Sequence, residues 1–154
     1  MDFPCKRILC AIDLQGDGYA ALDAAAGLAA HFGAVVYLLY VVPMVMLGTE
    51  TLGLPQIYES QVEAARQKLK RLADEKLAPV KYETLVAVGE PGAAILATAD
   101  NLAPDLVVIS THGRKGLARL ALGSVAERVV RGSHRPVLTV RPPASDVRRP
   151  ARRG

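Results

Sequence analysis

No tryptophan occurs in the 154 residues, and only two Phe and five Tyr do. A core for a chain of that length must therefore be built from Val, Leu, Ile and Ala, which suits helices covering a parallel sheet. Cysteine is scarce too. Cys5 and Cys10 are too few for a disulfide framework, and no Cys/His pairs stand at metal-ligand spacing. A reduced, cytoplasmic setting is the simplest expectation, with no protein-held metal site. The phosphate-loop pattern GxxxxGK followed by Ser or Thr is missing, which removes that class of NTPase. An excess of either charge is missing from the first 140 residues, which hold 14 basic and 14 acidic side chains. The net charge of +4 resides in RPPASDVRRPARRG, from Arg141 onward. Such a distribution gives a Pro/Arg-rich tail rather than a basic nucleic-acid face on the domain.

Formal charge is also absent from Ala24 to Thr49, a length that raises the question of a membrane span. His31, Gly33 and Pro43 interrupt that run, and VVYLLYVV has the β-branched and aromatic character of a strand. No membrane helix is expected. No basic region followed by an apolar stretch opens the sequence, so no signal peptide is read.

What is present alternates in period between strand and helix. RILCAID (7–13) reads as a strand ending in Asp13, and residues 19–32 as an Ala-rich helix with Leu22, Ala25, Ala29 and Phe32 on one face. Gly33 closes that helix. AVVYLLYVV is the second strand, and a loop follows over 43–56. A helix over 57–77 has an apolar stripe of Val62, Ala65, Leu69 and Leu72. VKYETLVAV is the third strand, and Gly89 introduces a short helix with Pro91 in its first turn. DLVVIS, a helix over 124–131 and the strand PVLTV complete the chain. Connections of this length support helical crossovers between parallel strands, hence an open α/β sandwich. One domain is expected over residues 1–141, followed by a basic tail over 142–154 that is expected to be disordered and dispensable.

Ligands of open parallel sheets bind beyond the carboxyl ends of the strands. Three such ends carry candidates. Asp13 closes the first strand, where it could accept from a base amino group or cap local backbone. Gly89 follows the third, where it could admit a ligand or simply turn the chain. The stretch STHGRKGLARLALGSVAERVV (110–130) follows the fourth. Gly113 and Gly116 would let backbone N–H groups approach a phosphate. Gly123 and Ser124 stand at a helix start, whose free N–H groups and dipole favour an anion. Ser124 and Glu127 also fit a capping box, which would occupy the hydroxyl in the helix itself. Arg114 and Lys115 could screen phosphate or remain solvated. His112 suits an orienting role better than a catalytic one. GDGYAA at 16–21 fits a permissive dinucleotide fingerprint, but LLYVVPMVM offers no acidic residue at the end of the second strand. No nucleophile–His–Asp set is legible, so no catalytic residue is assigned.

RILCAID, VAVGEPGAAI and STHGRKGLARLALGSVAERVVRGSHRPVLTV together resemble the universal stress protein family over residues 5–141. The last stretch is the most specific, being similar to the family's Gly-x2-Gly-x9-Gly-Ser/Thr pattern. Gly113, Gly123 and Ser124 match it, while Ser110 stands at the first glycine position. LQGDG replaces the Ser-containing first loop of many relatives. The resemblance implies a Rossmann-like, five-stranded parallel sheet of order 3-2-1-4-5 with helices on both faces. It implies ATP as ligand, with or without Mg2+, held by Ala11, Ile12, Asp13, Val41, Gly89, Ser110, His112, Gly113, Arg114, Gly116, Gly123, Ser124 and Val125. It also implies a homodimer through residues 136–140 and a regulatory role in stress response. Slow ATP hydrolysis and a ligand-free dimeric scaffold are the alternatives.

Overall fold

The computed structural model describes residues 3–14, 19–44, 54–111 and 122–142. Strands and helices alternate as β1 (Arg7–Ala11), α1 (Ala20–Phe32), β2 (Val35–Pro43), α2 (Leu54–Lys76), β3 (Lys81–Gly89), α3 (Pro91–Leu102), β4 (Leu106–Ser110), α4 (Ser124–Gly132) and β5 (Val137–Val140). Every strand pair is parallel, and the order is β3-β2-β1-β4-β5, as expected from the resemblance.

The period-two alternation of each strand sorts its side chains onto two faces. Ile8, Cys10, Val36, Leu38 and Val108 pack with Leu22, Ala25 and Ala29 of α1, Leu69 and Leu72 of α2, and Leu77 just past its end. Leu9, Ala11, Leu39, Val41, Val107 and Ile109 pack with Ile95 and Ala99 of α3 and Ala126 and Val129 of α4. Aliphatic and Ala side chains thus build both cores, as the shortage of aromatics requires. The central strands are buried on both faces because helices cover both, which is why they read as continuous apolar runs. At the amino ends of the strands, Asp105 Oδ2 accepts from the N–H groups of Lys6 and Arg7 at 2.8 and 2.9 Å, fixing β1 beside β4.

Local signals set several boundaries. Gly33 ends α1 in the left-handed region, with φ of 63°, and donates its N–H to the Ala29 carbonyl. Three expectations need correction. The first strand stops at Ala11 rather than Asp13, because its ladders end at Leu39 and Ile109, and Asp13 lies two residues beyond. The helix expected from Ile57 begins at Leu54, since Pro55 fits a first turn where its missing N–H leaves no bond unmade. Phe32 is 39% exposed at the end of α1, edge-on to His31, rather than buried with the rest of the apolar face. Among the described residues no helix is long and apolar enough to cross a membrane.

Candidate functional site

The chain runs from β1 outward through β2 to β3, then returns to place β4 on the other side of β1. The strand order therefore reverses between β1 and β4, and the crevice beyond their carboxyl ends is the topological switch point. Ala11 and Ile109 are register partners at its floor. Ile12 donates its N–H to the Leu39 carbonyl at 3.0 Å, and its side chain joins the α1/α2 core. Asp13 is exposed at the rim. Lys68 of α2 donates from Nζ to the Leu14 carbonyl at 2.8 Å, anchoring the backbone just past Asp13.

On the other side of the crevice, Ser110 ends β4 opposite Val140. Thr111 donates its N–H to the Val140 carbonyl at 3.0 Å, and its own carbonyl accepts from Gly123 N–H at 2.7 Å. Gly123 is thereby drawn against the sheet. Its φ of −58° and ψ of 155° are open to any residue. A Cβ there would lie 2.9 Å from the Thr111 oxygen, so glycine is required by close approach of two backbones rather than by an unusual dihedral. The close approach that Gly123 permits is to Thr111.

Gly123 is the N-cap of α4, and among the described residues no side chain caps the helix. Ser124 is the first helical residue, so the capping box expected as an alternative is not formed. Glu127 instead pairs with Arg131 at 2.9 Å, one turn further on. The first intrahelical bond runs from Glu127 N–H to the Gly123 carbonyl at 2.9 Å. The N–H groups of Ser124, Val125 and Ala126 therefore have no acceptor within their own helix. Val125 packs at the edge of the α3/α4 core, to which Val41 also belongs.

Two features here escaped sequence reasoning. Thr111 is buried, and its Oγ1 has no hydrogen-bond partner among the described residues, an uncommon state for a buried hydroxyl. Glu90 caps α3, accepting from Gly92 and Ala93 N–H at 3.0 and 2.7 Å, and also takes Arg128 Nη1 of α4 at 2.7 Å. The Ala93 N–H bond, followed by that of Gly92 and the Arg128 charge, holds the Glu90 carboxyl below the ordinary glutamate range. An acidic residue before Pro91 is a legible cap signal, but nothing in the sequence pairs it with Arg128.

The remaining expected residues divide between two places. Val41 is buried opposite Ala87 on β2. Gly89 ends β3 with φ of 155°, a conformation side chains rarely adopt, and its carbonyl accepts from Met44 N–H at 3.1 Å. The fold thus brings Ala11, Ile12, Asp13, Ser110, Gly123, Ser124 and Val125 to the β1/β4 end, while Val41 and Gly89 flank it through β2 and β3. His112, Gly113, Arg114 and Gly116 lie outside the described residues.

Comparison with known proteins follows the same outline. The model of the universal stress protein family matches residues 4–141. The universal stress protein MJ0531 of Methanocaldococcus jannaschii is 35% identical over 146 residues, 92% of this chain and 85% of its own length. The universal stress protein YxiE of Bacillus subtilis is 34% identical, covering 88% of this chain and 99% of its own. The solved structure of MJ0577 superposes with a TM-score of 0.79 at 26% identity, covering 91% of this chain and 98% of its own. The fold is shared with a universal stress protein solved in complex with cAMP (TM-score 0.60, 24% identity, 89% and 97% coverage). An Arabidopsis thaliana family protein solved with AMP bound also shares it (0.61, 18%, 90% and 93%). Motif, strand order and whole-length similarity agree, and the chain belongs to the universal stress protein family.

Proposed function

We propose that this chain is an adenine-nucleotide-binding regulatory protein that holds ATP in the crevice between β1 and β4. The observation that carries the reading is the start of α4 beside the switch point, uncapped among the described residues, with three N–H groups lacking an acceptor in their own helix. A phosphate there would be favoured by those donors and by the helix dipole. The buried Thr111 hydroxyl, beside the backbone that meets Gly123 and without a partner among the described residues, marks the same corner as polar. Asp13 suits the base side, and Ala11, Ile12, Val41, Ser110, His112, Gly113, Arg114 and Gly116 complete the set by resemblance. Proteins of this fold solved with cAMP and with AMP support an adenine ligand. Asp13 is the one carboxylate of that set, so Mg2+ would be held chiefly by the nucleotide's phosphates. Turnover should then be slow, far below the roughly 1–10³ s⁻¹ of ordinary enzymes.

The same reading includes a homodimer through residues 136–140. β5 is the outer strand on its side of the sheet, and Leu138 on it is a half-exposed leucine. A second copy pairing there would satisfy the open edge. Cys5 and Cys10, both buried and unpaired, fit the reduced cytoplasm.

The decisive experiment is mass spectrometry of ligand released from freshly purified protein, followed by titration with ATP. Ser124→Pro is the diagnostic variant. Proline is well tolerated at the first helical position, and Gly123 already has the extended ψ that a following proline needs. The change removes one N–H and one hydroxyl without breaking a bond within the helix. Loss of charge-assisted hydrogen bonds worth about 1.5–3 kcal/mol each should weaken ATP by tenfold or more. No co-purifying nucleotide and no saturable binding at millimolar ATP would defeat the proposal in favour of a ligand-free scaffold.

A further inference from the structure

Two glycines shape the seam between α3 and α4. A Cβ on Gly92 would lie 2.7 Å from Arg128 Cδ, 3.2 Å from Cγ and 3.3 Å from Cβ, so the whole Arg128 stem rests on bare backbone. A Cβ on Gly132 would lie 2.7 Å from Leu96 Cδ1. At the far end of its stem, Arg128 Nη1 meets Glu90 Oε2 at 2.7 Å. The same carboxylate accepts from the first turn of α3, so it cannot follow Arg128 without uncapping that helix. Glu90 directly follows Gly89, and Arg128 lies one turn after Ser124 on the face that lines the same shallow groove as Ser124.

We propose that Glu90 and Arg128 form a positioning pair that seats the start of α4 against the Gly89 turn, so that nucleotide affinity depends on an ion pair away from the ligand. The proposal rests on the ATP reading above. Gly92 serves as the groove that lets Arg128 reach, and the pair joins positions 38 residues apart. Arg side chains on a helix lean toward its N-terminus, so tension on Arg128 acts on the turn that carries Ser124, Val125 and Ala126.

The test is a double-variant cycle read by ATP titration, at a temperature where every protein is fully folded by circular dichroism. Glu90→Gln keeps an acceptor for the α3 cap, and Arg128→Met keeps a stem over Gly92, while each removes a charge. Each single change should weaken ATP by up to about fivefold, the range open to an exposed ion pair. The double variant should be no weaker than the weaker single. Losses that multiply would show two independent effects and overturn the pairing, as would an Arg128→Met protein with wild-type affinity. Amide exchange on the nucleotide-free chain reads the same seating without ligand. Both single variants should speed exchange at the Glu127–Val130 amides by similar factors. If the wild-type chain binds no ATP, the nucleotide reading falls and exchange decides the seating alone. Faster exchange in both variants keeps it, and unchanged exchange overturns it.

Discussion

Gly123→Ala isolates what one missing side chain does for this fold. Alanine meets no backbone strain at φ −58° and ψ 155°. By restricting the unfolded chain it would on its own stabilise the protein by about 0.4–1 kcal/mol. Against this stands a Cβ placed 2.9 Å from the Thr111 carbonyl oxygen. That oxygen cannot retreat cheaply. It accepts from Gly123 N–H at 2.7 Å, and the Thr111 N–H is tied to the Val140 carbonyl at 3.0 Å. Relief must therefore stretch the α4 anchor or loosen β4 from β5. Overpacking costs about 1–3 kcal/mol, and a backbone oxygen tethered on both sides puts this case in the upper part of that range, about 2–3 kcal/mol, which leaves a net loss of about 1–2.6 kcal/mol. For a chain of this size the melting temperature should fall by about 2–4 °C per kcal/mol. Gly27→Ala is the matched control. Gly27 is exposed in mid-helix α1, and a Cβ there meets nothing within 4 Å. It should gain about 0.5–1 kcal/mol from helix propensity. Calorimetry on both variants, without nucleotide, reads the contrast. A Gly123→Ala protein as stable as wild type would refute the reasoning. The calculation also shows why Ser124→Pro, rather than a change at Gly123, separates ligand loss from fold damage.

Glu90 predicts a pH dependence. Its carboxyl is lowered in the folded state, so its stabilising contribution is complete above the unfolded value near 4.3 and is lost as pH falls through the lower folded value. The melting-temperature gap between wild type and Glu90→Gln should hold at neutral pH and close in acid; a gap that does not change with pH would contradict the cap. Burial pushes the Cys10 thiol up to about 12 and raises Cys5 as well. Neither should react with a disulfide reagent in the native protein, whereas both should after denaturation, and a fast native phase would contradict their burial. Leu138→Lys places a charge on the outer strand where a half-exposed leucine stands. Light scattering should show a dimer in wild type and in a chain ending at Pro142, and a monomer for Leu138→Lys; a wild-type monomer at micromolar concentration would remove the dimer.

The alternation of apolar periods was enough to read α/β class and element order, because burying both sheet faces imposes continuous apolar strands and one-sided helices. Gly33 was legible as a helix stop, since a left-handed residue leaves a local mark. The end of β1 was not, because a strand ends where its pairing ends, and its pairing partners are distant in sequence. Strand order came from family resemblance, because hydrophobic period is blind to which strands pair. Phe32 was expected on the buried face yet is 39% exposed, while Ala29 in the same last turn is buried, a difference that helical period alone does not reveal.

For the candidate site, Asp13, Gly123 and Ser124 could be named from residue type and position, whereas Ser110 was named only through the family pattern. Tertiary structure decided what those types meant. It made Ser124 the first helical residue rather than the cap, assigned the missing Cβ of Gly123 to Thr111, and joined Glu90 to Arg128. The physical reason is range. Period, turn chemistry and capping act within a few residues, whereas the contact between two backbones or two helices depends on chain segments that only the folded sheet brings together.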